Sequence, residues 1–282
     1  MEQIKRILQY HFGCTTWEIA RSKDGLQNAG YRAQNGSVEV FVKFTDSVAA
    51  LQRLGEIAVA PCVLASGTDQ GRTYVVQEYV TGKYPDWLWL TTHLPVLASC
   101  IQRYHADQPL TDLLSKPTAT GYHEHVALDL AQLEAQFSSL NTEVLHTPEI
   151  TTAFEELKSQ AQKLQSVRLV PVHIDPNTHN MLLADERFLL VDWDGILLSD
   201  PMRDAGLLLW WYVSQHHWPD FFQSYGSSMD DASVERIFWW AARTSFAVAL
   251  WHVEHRYDCT DFLQDFLAAL AKEGNPHAVF SS

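Results

Sequence analysis

The sequence predicts an α+β protein of two lobes, a small N-terminal lobe built on an antiparallel sheet and a larger, mainly helical C-terminal lobe. Three observations carry this expectation. Between residues 15 and 44, β-like runs alternate with turn residues, and Asn35-Gly36 between two of them is a strong hairpin signal. Beyond Lys83 the pattern changes from strands to helices. Within that second part, residues 171–204 revert to a tight pair of β-like runs flanked by a loop on one side and an acidic loop on the other. At 282 residues the chain suits one large or two modest domains, read here as 1–83 and 84–282, and is long enough to bury a substantial core.

The elements follow from local pattern. Residues 1–12 carry Ile4, Ile7, Leu8 and Phe12 at helical spacing, with Gly13 as a stop. The runs 15–21, 29–33 and 38–44 form an antiparallel meander, and a helix is expected over 47–57. A second hairpin follows from 63–65 and 73–80, turned by 67–71. After Lys83, residues 92–105 space Leu94, Leu97, Ala98 and Ile101 as a helix that accepts Pro95 in its first turn and ends before Pro109. Residues 127–140 and 150–164 read as amphipathic helices, 205–214 is intensely apolar, and 238–255 reads as an aromatic-rich helix.

The stretch 171–204 carries the chemistry. Asp175 precedes a Pro-Asn-Thr-His segment that cannot easily stay helical or extended, and Asn180 follows with four residues between. The β-like runs 181–184 and 188–191, joined by Asp185-Glu186, then deliver Asp192 and Gly195. Phosphoryl transfer needs a carboxylate to take the acceptor's proton and oxygen ligands for magnesium, all on a rigid frame. Magnesium takes one or two carboxylates from a protein, so an Asn amide with an Asp is a suitable pair. Asp175 is therefore the candidate catalytic base, and Asn180 and Asp192 are the candidate metal ligands. An acidic hairpin on a surface is the plainer reading of any one of these residues. The combination of His173, Asp175, Asn180, Asp192, Gly195 and Asp200-Pro201-x-Arg203-Asp204 in one window favours the functional one. The spacing Asp-x-x-x-x-Asn also matches the catalytic loop of protein kinases.

This window resembles the signature of the aminoglycoside phosphotransferase and choline kinase-like family, His-Gly-Asp-x-x-x-x-Asn followed by Ile-Asp-Trp-Glu and Asp-Pro-x-x-Asp. The resemblance implies a two-lobed protein-kinase-like fold. Two departures stand out: the usual Gly is Ile174, and the usual Leu-His-Pro-Gly is Pro176-Asn177-Thr178-His179. As in relatives, His173 is expected to brace the loop, with Arg203 and Asp204 stabilising the lobe beneath it. Asp194 is a second candidate for metal or loop support.

The N-terminal part adds nucleotide candidates. Lys43, the cation near the end of the apolar strand Val40-Phe41-Val42-Lys43-Phe44, suits the lysine that holds the α- and β-phosphates. Gly25-Leu26-Gln27-Asn28 reads equally as an ordinary turn or, as the family resemblance implies, as a reduced Gly-x-x-Asn phosphate flap with Gly25 and Asn28 as its contacts. Residues 77–82 read equally as an edge strand or as the hinge that binds adenine through the Glu78 carbonyl and the Val80 amide. Protein kinases pair the strand lysine with a Glu on the next helix. Here 47–57 and its approach offer only Asp46, Ser47 and a distant Glu56, so no partner is assigned.

Composition bounds the partners. Acidic residues outnumber basic ones by 34 to 20, a net charge of -14, which opposes nucleic acid and anionic membrane and favours a cationic small molecule. Cys14, Cys62, Cys100 and Cys259 lack metal-ligand spacing and read as reduced thiols. The polar N-terminus and the absence of a spanning apolar run point to the cytoplasm. His216-His217 and the pair His252 and His255 lack a third ligand at zinc spacing. Trp210, Trp211, Trp218, Trp239, Trp240 and Trp251 read mostly as helix packing. One or two of them, beside Asp220, Asp230, Asp231 or Glu254, remain to line a cationic acceptor's site.

The expected activity is ATP- and Mg2+-dependent transfer of the γ-phosphate to a hydroxyl of a small molecule, with an amine-bearing alcohol or an aminoglycoside as the favoured acceptor class. The rivals are a nucleotide-binding pseudoenzyme, given the missing helix Glu, and a non-catalytic binder of cationic small molecules.

Overall fold

Helical spacing gives way to alternation near residue 18, and the backbone follows that change. The computed structural model describes residues 1–22, 30–115 and 121–278. Its elements begin with α1 (Glu2–Phe12), β1 (Glu18–Arg21), β2 (Tyr31–Asn35), β3 (Val38–Phe44), α2 (Val48–Glu56), β4 (Val63–Asp69) and β5 (Arg72–Glu78). The helices α3 (Trp87–Thr92), α4 (Leu94–His105), α5 (Gln108–Leu114), α6 (Tyr122–Ser139) and α7 (Pro148–Ala161) follow. Next are the short strands β6 (Val170–Val172), β7 (Met181–Ala184), β8 (Arg187–Leu190) and β9 (Leu197–Ser199). The chain closes with α8 (Met202–Tyr212), α9 (Trp218–Tyr225), α10 (Asp231–Glu254) and α11 (Thr260–Leu270). An antiparallel sheet in the N-terminal region and a helical C-terminal part are thus both present, as the sequence predicts.

Two compact units result. The first comprises Met1–Tyr84, Asp107–Leu114 and Thr178–Gly195, and the second Pro85–Ala106, Ser115–Asn177 and Ile196–Ser282. A single cut after Lys83 would assign 107–114 and 178–195 to the later lobe; in the structure they group with the first unit.

In the first unit the sheet order is β1-β2-β3-β5-β4, antiparallel throughout. The period-two pattern of β3 turns Val40 and Val42 into a core with Ile4, Ile7 and Leu8 of α1, Trp17, Ala33, Tyr74 and Val76. Lys43, one residue out of that phase, faces the other side and pairs in register with Val75. The expected hairpin at Asn35-Gly36 forms, but Asn35 pairs with Val38, so the loop is Gly36-Ser37. Gly36 supplies the positive φ of 59° that its first position needs. The β7–β8 hairpin joins this unit through the exchange of backbone hydrogen bonds between Lys83 and Leu183, at 3.0 and 2.8 Å, and through Leu190 N–H to Val59 O at 2.8 Å. A Cβ on Gly82 would lie 2.9 Å from Leu183 O, so the close approach depends on glycine. Helix α5 joins through Asp107, whose carboxylate accepts Arg53 Nε at 3.1 Å and Nη2 at 2.7 Å.

In the second unit, helices α8 and α10 meet so closely that a Cβ on Gly206 would sit 2.9 Å from Ile237 Cα. Trp210, Trp218, Trp239 and Trp240 are buried there, which settles four of the six tryptophans as packing. Trp211 and Trp251 are half-buried. The β6–β9 pair sets Val170–Val172 antiparallel to Leu197–Ser199, so the two ends of the acidic window are fixed side by side.

Candidate active site

The second unit presents Asp175. Strand β6 delivers His173, which is fully buried, then Ile174 with φ of 72° and the exposed Asp175. A positive φ is uncommon for any residue but glycine and a genuine outlier for a β-branched one. Asp204, in the first turn of α8, holds the backbone in this shape. Its carboxylate accepts the His173 amide at 2.6 Å and the Ile174 amide at 2.8 Å. Tyr104 Oη donates to the same carboxylate at 2.8 Å, and His105 Nε2 lies 3.6 Å away. Burial pushes the Asp204 carboxyl up, but the His105 ring, the nearby His173 ring and the His173 amide outweigh it and hold the group below the usual carboxylate range. Asp175 N–H points back at His173 Nδ1, at 3.3 Å, and the Asp175 carboxylate accepts Asn177 Nδ2 at 2.8 Å.

Beneath the loop lies a buried ionic layer. Asp129 of α6 accepts Arg243 of α10 at 2.5 Å and Arg203 of α8 at 3.0 Å. Burial and Arg243 draw Arg203 down to about 10, with Asp129 opposing, and it stays cationic at neutral pH. Asp200 accepts Tyr122 Oη at 2.7 Å and the Met202 amide at 2.8 Å, with Arg236 Nε at 3.3 Å. Two aspartates thus face three arginines, Asp129 with Arg203 and Arg243 and Asp200 with Arg236, and the pairing makes the burial of these carboxylates tolerable. The Asp-Pro-x-Arg-Asp tail is therefore the scaffold of the loop.

The first unit presents Asn180, Asp192 and Lys43. Asn180 ends a single 3-10 turn, and its carbonyl accepts the Val191 amide at 2.9 Å as the rung next to Met181–Leu190. Asn180 and Asp192 therefore stand at the same end of the β7–β8 hairpin. Asp192 is exposed and has φ of 63°, a conformation that aspartate tolerates better than most residues. Trp193 follows, buried, and donates Nε1 to Leu190 O at 2.9 Å, which anchors the turn. An amide oxygen and a carboxylate at one hairpin end are hard donors of the kind magnesium uses alongside phosphate oxygens. No group of three or more His, Cys, Asp or Glu among the described residues could hold a metal ion by itself. Lys43 is buried on the sheet, and its Nζ lies 2.5 Å from Asp194 Oδ1.

The proposed hinge lies at the end of β5. Glu78 N–H donates to Cys62 O at 2.9 Å, while its side chain accepts the Cys62 amide at 3.0 Å and Arg187 Nη1 at 2.8 Å. Burial works against this carboxylate, and Arg187 and the Cys62 amide still hold it below its ordinary range. The side chain thus ties β5 to β8 and leaves adenine contacts to the backbone. Val80 follows the strand end, half-buried. Gly25 and Asn28 lie outside the described residues. Sequence reasoning did not find Arg187, Tyr104 or the Asp194 partner of Lys43, since each acts across more than ninety residues. Among the described residues no helix is long and apolar enough to cross a membrane.

Comparison with known proteins agrees with this fold. Residues 31–232 match the family model described as the APH phosphotransferase enzyme family. A choline/ethanolamine kinase family protein from Mesorhizobium loti is similar in fold, with a TM-score of 0.69 at 17% identity, covering 96% of this chain and 94% of that one. A choline kinase from Streptococcus pneumoniae gives 0.70 at 18% identity, covering 96% and 97%. A spectinomycin phosphotransferase, solved with ADP and spectinomycin, gives 0.65 at 14% identity, covering 99% and 95%.

Proposed function

Because the chain belongs to the phosphotransferase enzyme family, we propose that it moves the γ-phosphate of ATP to a hydroxyl of a small cytoplasmic molecule. The observation that carries this reading is the loop around Asp175. Its start is clamped by two amide bonds to Asp204 and its end is pinned by Asn180 to Val191. Within its own unit each of the two groups, the Asp175 carboxylate and the Asn180 amide, is carried on a backbone held by hydrogen bonds, which is what a positioned catalytic group needs.

In this reading Lys43 holds the α- and β-phosphates. Asn180 and Asp192 hold Mg2+, which when bound neutralises phosphate charge. The Glu78 carbonyl and Val80 amide receive adenine, and Gly25 and Asn28 cover the phosphates. Asp175 orients the acceptor hydroxyl. As the hydroxyl oxygen bonds to the γ-phosphorus, the bond from that phosphorus to the β–γ bridging oxygen breaks and ADP leaves. The hydroxyl proton passes to the Asp175 carboxylate.

An amine-bearing alcohol is the proposed acceptor. The net charge of -14 supports a cation, and the similar structures include a choline kinase and a spectinomycin phosphotransferase. The test is transfer of labelled γ-phosphate from magnesium-ATP to a pooled panel of amino alcohols, aminoglycosides and cell metabolites. Label in an acceptor with wild type and none with Asp175→Asn is the expected result. Magnesium-ATP binding without transfer to any acceptor would favour a pseudoenzyme, and no binding would overturn the reading.

A further inference from the structure

We infer that Asp194 is the positioning residue for Lys43, in the place that a glutamate on the following helix takes in protein kinases. The inference rests on the phosphate-holding role proposed above for Lys43. A lysine side chain that is 8% exposed needs a fixed partner for its ammonium group if it is to point one way. Asp194 Oδ1 lies 2.5 Å from its Nζ, and the Asp194 side chain is itself only 23% exposed. Among the described residues this is the one ion pair that Lys43 makes.

Helix α2 does not supply the carboxylate, for reasons written in its residues. Its inward face is Ala50, Leu51, Leu54 and Gly55, all buried and apolar. Its one acid, Glu56, closes the helix with a side chain 63% exposed and lies 2.9 Å from Arg53 Nη1. Asp46, ahead of the helix, is exposed. The polar side of α2 is used elsewhere: Arg53 makes its bidentate contact with Asp107, and that carboxylate also accepts the Leu110 amide at 2.7 Å. So α2 is anchored to α5, while the charge that steadies Lys43 comes from the turn after Asp192.

The local chain makes this possible. Asp192 and Asp194 flank the buried Trp193, whose indole is fixed to Leu190 O. The exposed Asp192 and the half-buried Asp194 are thereby set in different surroundings by one anchored ring. The alignment of Lys43 is then tied to the turn that carries the proposed metal ligand Asp192 and not to α2.

The test is a double-mutant cycle of Lys43→Met and Asp194→Asn, read as the affinity for magnesium with a non-hydrolysable ATP analogue. Asp194→Asn is nearly isosteric, and it is expected to weaken binding roughly tenfold with the acceptor KM unchanged. In the Lys43→Met background the same change should cost less than about twofold, because the group it acts through is gone. Asp194→Glu keeps the charge and should restore most of the affinity. Where Lys43→Met binds too weakly to titrate, the cycle is read on urea midpoints without nucleotide, where the two changes should again be non-additive. Additive losses, the signature of a residue acting directly on the metal or phosphates, would overturn the inference while leaving the phosphotransferase reading intact. Failure of wild type to bind the analogue would overturn both.

Discussion

The Asp204 carboxylate accepts the Ile174 amide at 2.8 Å across thirty residues of chain, and so holds the positive backbone angle just before Asp175. The same carboxylate takes the His173 amide and the Tyr104 hydroxyl, so removing its charge strips several buried donors at once. Asp204→Asn is expected to cost about 3 kcal/mol, because in either orientation the new amide nitrogen confronts a backbone N–H, of Ile174 or of His173, that can only donate. Urea unfolding measures the loss. Turnover in the surviving folded protein should fall further than nucleotide affinity does, since the damage lies at Asp175.

The same group gives the protein an acid limit. Asp204 and Asp129 are both buried and both held below the ordinary carboxylate range despite that burial, Asp129 by Arg243 and Arg203. A carboxyl depressed in the folded state adds stability that is complete above the unfolded value of about 3.9 and is lost as pH falls through the folded value. Asp265, which burial raises despite His277, contributes in the opposite sense. Glu78 and Asp107 are lowered as well, by Arg187 and Arg53, so the urea midpoint should be flat near neutral pH and drop below about pH 4. Asp204→Asn should drop less steeply over that range. An unchanged slope would mean that Asp204 is not the group that titrates.

Much of this arrangement is legible in the residues, for identifiable reasons. Helix α1 and strands β2 to β5 follow from short-range periodicity, as do the hairpins, because local pattern sets them. Helix α5 is missed because Pro109 reads as the end of the preceding helix, when it stands near the start of a new one, where proline is tolerated. The expected helix over 92–105 is α4, whereas the six-residue α3 just before it is too short to show a period in the sequence. Asp175, Asn180 and Asp192 are found because their spacing lies within one window. The Lys43–Asp194 pair is not, because its members are 151 residues apart and nothing local to either one names the other.

Ile174 offers a test of strain. The left-handed conformation costs a β-branched residue on the order of 1–2 kcal/mol, whereas glycine adopts it freely but loses more entropy on folding, about 0.5–1 kcal/mol. The half-buried Ile174 side chain also gives up packing when removed. These terms nearly cancel, so Ile174→Gly should change stability by less than about 1 kcal/mol and leave phosphate transfer within a few-fold of wild type. Ile174→Ala keeps most of the backbone penalty, loses the packing, and should be the less stable of the two variants. The reverse order in thermal unfolding would show that side-chain contacts, and not the backbone angle, govern this position.

Asp175 should separate chemistry from architecture most cleanly. Its carboxylate is exposed and accepts from the neighbouring Asn177, while the buried bonds that shape the loop belong to the backbone of His173 and Ile174. Asp175→Asn retains size and polarity, so melting should stay within about 0.5 kcal/mol of wild type. The variant cannot take the hydroxyl proton, and loss of a general base costs about 10²–10⁴ in rate. Nucleotide affinity should hold within about twofold, because the phosphate and adenine contacts proposed here lie in the other unit. Single-turnover transfer and nucleotide titration on one preparation decide the matter. A folded variant that binds nucleotide and barely transfers phosphate supports Asp175 as the base. A variant with normal turnover would move that task to another carboxylate.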